Sequence, residues 1–99
     1  MNQRQQALHD LEAHFAEIVE SFDGIFDSHQ FILQLAQRHQ HAYIRALDAF
    51  NDTENPFRIL HGQIARRLLA HKDLARKIGS HPSENIFGEK SEVALWERR

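Results

Sequence analysis

The sequence predicts an all-α fold, a small up-down helical bundle of three main helices followed by short C-terminal helices. Three observations lead there. Apolar residues recur at helical spacing over the first seventy positions. The few glycines and prolines (Gly24, Gly62, Gly79, Gly88, Pro56, Pro82) mostly fall where a periodic segment starts or stops. No alternation of period two runs for a useful length, and β-branched residues are few.

The first helix is expected from about Gln3 to Phe22. Leu8, Leu11, Phe15, Ile18 and Phe22 are spaced 3, 4, 3, 4 and line one face. Gly24 ends it, and Ile25 and Phe26 tie the turn to the core. The second helix starts at Asp27 or Ser28, either of which can cap a first turn, and continues to about Phe50. Phe31, Ile32, Leu35, Tyr43, Leu47 and Phe50 form its apolar face. A polar loop, Asn51 to Asn55, follows. Asn55-Pro56 then starts the third helix, with Asn as cap and Pro where its missing N–H costs nothing. Phe57, Leu60, Ile64 and Leu68 carry its face. A break near His71 and a short fourth helix from Asp73 to Gly79 are expected; an unbroken helix to Ile78 is the alternative, because no Gly or Pro follows Gly62 until Gly79. Ser80 to Lys90 reads as a loop, and Glu92 to Arg99 as a last helix capped by Ser91. The chain is one domain, 1–99, with 1–79 as the bundle and 80–99 as a loop and docking helix.

Composition narrows the function classes. The 99 residues suit one domain with a modest core. Absence of cysteine excludes disulfides, thiolate metal sites and a cysteine nucleophile. No apolar run approaches the ~18 residues of a membrane span, and the N-terminus lacks a signal-like stretch, so a cytoplasmic location is expected. Eight histidines invite a metal site, but no two lie three or four apart, so none is predicted. No phosphate loop, nucleophile elbow or other cofactor motif is present. Phe26-Asp27-Ser28-His29 sets three polar groups in a row, and capping explains Asp27 and Ser28 better than a triad does.

The charge is unevenly spread. Net charge is −2, yet the stretch from Arg58 to Lys77 holds Arg58, Arg66, Arg67, Lys72, Arg76 and Lys77 against Asp73 alone. These residues are the candidates for contact with nucleic-acid phosphates. Arg66 and His71, with four residues between them, also have the Arg-x(4–6)-His spacing of HEPN-type ribonucleases. Arg4/His9 and Arg76/His81 share it, and about two such matches arise by chance in this composition, so the spacing names no family. Finally, Ile86, Phe87, Leu95 and Trp96 make the C-terminal segment too apolar for a frayed tail. They are the candidate interface with a protein partner or a second copy of the chain. The leading expectation is a non-enzymatic, self-associating interaction module, a homodimer. A nucleic-acid-associated regulator and a small ribonuclease using Arg66 and His71 are the alternatives.

Overall fold

The structure, a computed structural model describing residues 2–99, corrects the fold class to α+β. Five helical segments, α1 (Gln3–Glu12), α2 (Phe15–Glu20), α3 (Ser28–Arg38), α4 (Gln40–Asp48) and α5 (Pro56–Ala70), pack with three strands, β1 (Ile25–Asp27), β2 (Ala75–Glu84) and β3 (Lys90–Arg98). The strands form one antiparallel sheet in the order β1-β3-β2. An all-α helical bundle is therefore not what this chain forms.

The helical half follows its pattern. Leu8, Leu11, Phe15 and Ile18 are buried, so the predicted seam is the core face of α1 and α2. The first rod is kinked, because His14 N bonds to Leu11 O in a tightened turn and α2 restarts after it. The second rod breaks at His39, whose φ of −130° and ψ of 59° leave the helical region. The two kinks meet: the His14 and His39 rings stack at 3.7 Å, and His39 Nε2 lies 2.9 Å from Glu17 Oε2. Asp27 caps α3 as expected, accepting from Gln30 N at 2.8 Å while the Gln30 side chain accepts from Asp27 N at 2.9 Å. Asn55 caps α5, accepting from Arg58 N, and α5 stops at Ala70 with His71 at its C-cap.

The C-terminal third is where the expectation fails. The expected short helix at 73–79 and loop at 80–90 are β2 and a tight turn, and the expected helix at 92–99 is β3. β3 carries apolar residues on both faces. Trp96 is 2% exposed and Ala94 packs on the core, while Val93 and Leu95 are half-buried. Two-sided burial erases the alternation that marks a half-buried strand. β2 has the opposite problem: it is an exposed edge strand of mostly polar residues, with a bulge at Ile78 and with Pro82 within it. Nothing in its own sequence holds it extended. Its ladder to β3 does, along with the turn between them. In that turn Asn85 Oδ1 accepts from Phe87 N (2.9 Å) and Glu89 N (3.0 Å), and Gly88 adopts φ +79°.

The core lies between the sheet and the helices. Phe15 and Phe31 meet edge-to-face at 5.0 Å, Phe26 lies on Phe31, and Leu60, Ile64 and Leu68 of α5 close the other side. No described helix is long and apolar enough to cross a membrane.

Candidate functional site

A groove of about 660 Å3 opens between α5 and the sheet, with the start of α3 as its floor. That size falls within the roughly 300–1,000 Å3 of ligand clefts. The α5 wall is built from Arg58, His61, Gly62 and Ala65, whose spacing puts them on one stripe. Gly62 and Ala65 are small, and nothing lies within 4 Å of where a Cβ on Gly62 would project, so the groove is open there. Its mouth is framed by Phe57 and Phe87, edge-to-face at 4.9 Å. The opposite wall is the run of consecutive residues Lys90 to Ala94 of β3.

The phase of β3 decides what that wall presents. Arg98 N donates to Gly24 O at 2.7 Å on the β1 side, and Arg99 N donates to Leu74 O at 3.0 Å on the β2 side. Main-chain groups alternate in direction along an antiparallel strand. The even-numbered residues of β3 therefore point their N–H and C=O toward the β1 side. The bulge lies in β2, so this phase holds along β3. Pro82, which has no N–H, lies opposite Glu92, a position where β2 needs no donor. Asn85 N bonds to Glu89 O at 2.8 Å and continues the odd set. β1 covers β3 only from Glu97 to Leu95. Beyond that pairing, the outward N–H and C=O groups of Glu92 and Lys90 have no strand opposite them among the described residues. The groove is thus half a β-ladder facing a helix.

Two histidines line it. His61 Nε2 lies 2.6 Å from Tyr43 Oη. Burial, with His29 nearby as a second cause, pushes His61 down to about 4, and burial pushes Tyr43 up to about 12. Both are neutral at pH 7, so their bond joins two uncharged groups. His29 Nε2 is 3.4 Å from Ser91 Oγ, a long contact, and His29 Nδ1 is buried with no partner. Below the groove Trp96 Nε1 donates to Ser28 Oγ at 3.0 Å. Beside it, Asp27 Oδ2 lies 3.0 Å from His81 Nε2. Burial would raise the Asp27 carboxyl, but hydrogen bonds from Gln30 N, Ser83 and His81 outweigh it and hold Asp27 below the usual carboxylate range. Asp27 and Ser28 are spent on capping and on Trp96, and they form no triad with His29.

The predicted residues are dispersed. Trp96 is in the core, Leu95 and Ile86 are half-buried, and Phe87 is 55% exposed at the hairpin tip. Of the basic set, Arg58 reaches the groove, whereas Arg67 pairs with Glu12 at 3.0 Å and Arg76 pairs with Glu97. Arg66, Lys72 and Lys77 are exposed and distributed from α5 onto the sheet. His71 Nε2 binds Glu12 Oε2 at 2.7 Å, so it and Arg67 fasten α1 to the end of α5, and Arg66 takes no part in that cluster. The groove residues that sequence reasoning passed over are His61, Lys90 and the β3 edge, and His29 was weighed only as a triad member. The i, i+4 pair Phe57 and His61 beside Gly62 was a visible signal, but the strand they face was not. A second hollow, between the start of α1 and residues 48–52, is polar and open and holds no histidine. Among the described residues no three His, Asp or Glu side chains are placed to hold a metal ion.

No protein family, curated protein or solved structure matches the chain.

Proposed function

We propose that the chain is a non-enzymatic interaction module, and that an extended segment of a protein partner adds to its sheet as a fourth strand in the groove. The observation that supports this reading is the edge of β3 from Lys90 to Glu92, which no strand covers, beside the open α5 stripe at Gly62 and Ala65. Strand addition supplies main-chain hydrogen bonds along the edge and a helix wall for alternate side chains. The other free edge of the sheet, on β2, carries the bulge, Pro82 and Lys77, features that discourage pairing. The β3 edge has neither a bulge nor a proline within 90–94, and its one lysine, Lys90, stands at its end.

Self-association is the narrower form of the same reading. The chain's own long exposed strand is the blunted β2, which makes a different protein the better source of the segment. Trp96, expected as a dimer anchor, has its indole packed inside the fold.

The test begins with a displayed library of random linear peptides selected on the folded chain. Binders are then measured against two variants at one position. Glu92→Pro removes an N–H that faces the groove and leaves the β2 ladder intact, whereas Glu92→Ala keeps that N–H. Binders should lose about ten-fold or more in affinity to Glu92→Pro and little to Glu92→Ala, a difference on the scale of one or two hydrogen bonds. If no peptide is selected, or if selected peptides bind both variants alike, strand addition at β3 is wrong.

A further inference from the structure

Resting on the strand-addition reading, we infer that the groove selects an acidic extended segment of another protein, its carboxylates received by Arg58 and Lys90. Four formal charges line the groove: Arg58, Lys90, Glu89 and Glu92. The two acids are engaged within the hairpin. Glu89 Oε1 accepts from Asn85 Nδ2 at 3.2 Å, and Glu92 Oε1 accepts from Ser80 Oγ of β2 at 2.9 Å. The two cations are free: among the described residues neither Arg58 nor Lys90 has a carboxylate within ion-pair distance.

They also stand on opposite walls. Arg58 lies in the first turn of α5 and Lys90 at the start of β3, both at the mouth, where Phe57 meets Phe87. A strand laid along β3 passes between them. His29 adds a third polar group on the floor, its buried Nδ1 unpartnered. A carboxylate at the mouth meets Arg58 from one wall and Lys90 from the other, while Glu89 and Glu92 keep their charge but are held toward Asn85 and Ser80 of the hairpin. Deeper in, Ile32, Ala65 and Ala94 favour an apolar side chain. The segment that fits is therefore acidic toward the mouth and apolar toward α3.

The peptide selection already described reads this directly. Acidic residues should be enriched among the binders. Fluorescence anisotropy of one selected peptide should show about five-fold weaker binding to Arg58→Ala and to Lys90→Ala, the scale of one exposed ion pair. Binding should weaken further in the double charge reversal Arg58→Glu with Lys90→Glu, and with added salt. Both side chains are exposed and unpaired, so thermal melts of these variants should match the wild type. Binders that depend on the Glu92 N–H but show no acidic preference, and that bind the Arg58 and Lys90 variants unchanged, would overturn the acidic specificity and leave strand addition standing. Binding of a short RNA through the same two cations, with no peptide selected, would overturn both.

Discussion

His61 and Trp96 show how single side chains tie the groove to the core. His61 is held neutral, pushed down to about 4 from the ordinary 6.5, while in the unfolded chain it titrates normally. The unfolded state therefore binds more protons than the folded one between those values, and stability must fall as pH drops from 6.5 toward 4. Discounted for partial exposure, the loss is roughly 2 kcal/mol. Urea midpoints measured across that range should show it, and His61→Gln, which keeps a partner for Tyr43, should flatten the slope. Asp27 works at lower pH. Its carboxyl is held below the usual range, so its contribution is present above the unfolded value of about 3.8 and is lost as pH falls through the lower folded value. Trp96 is a core residue with one polar bond. Trp96→Ala should cost about 3–5 kcal/mol of stability, read by chemical denaturation, as for a large buried aromatic. That cost should appear in the monomer at any protein concentration, which separates a core role from an interface role.

At the scale of elements, the β2–β3 hairpin matters most, because it carries one wall of the groove. Its turn is encoded locally. Asn85 bonds two backbone N–H groups, and Gly88 sits at φ +79°, where a side chain is strained. Nothing lies within 4 Å of a Cβ placed on Gly88, so Gly88→Ala should cost only the backbone penalty, about 1 kcal/mol. A thermal melt checks this, and a much larger loss would mean that the tip packs more tightly than the structure shows. The helices were far more legible than these strands. Asp27 with Gln30, and Asn55 with Pro56, are start signals that act over three residues, and the structure places helix starts at both. In residues 73–99 the cap-like Ser91 starts no helix and lies within β3. β2 is mostly polar, and β3 hides its period because Val93, Ala94 and Leu95 are half-buried in succession before Trp96.

For the whole molecule, the sheet joins the two ends of the chain's order. β1 follows α2, β3 ends the sequence, and their pairing, Phe26 opposite Trp96, closes the core. That closure leaves β3 longer than β1, and the unpaired remainder is the candidate site. The charge asymmetry seen in the sequence takes a different form in three dimensions. Arg67 is in an α1–α5 clasp, Arg76 in a cross-strand pair and Arg58 at the groove mouth, while Arg66, Lys72 and Lys77 are exposed elsewhere. Only Arg58 of that set lies at the site, beside a lysine from outside it.

By itself the sequence determined much of the helical two-thirds: the seam of Leu8, Leu11, Phe15 and Ile18 and both capped starts, but neither the breaks at His14 and His39 nor the stop at Ala70. The seam and the caps depend on neighbours within one or two turns, which spacing and residue type report directly. The tertiary structure alone decided the rest. Residues 75–98 become a hairpin because β2 takes its hydrogen bonds from β3, and β3 takes its own from β2 and β1, and backbone pairing leaves no trace in side-chain type. The groove is the gap left by unequal strand lengths. Its edge, and the meeting of His29, His61, Arg58 and Lys90 around it, exist only once partners far apart in the chain have paired.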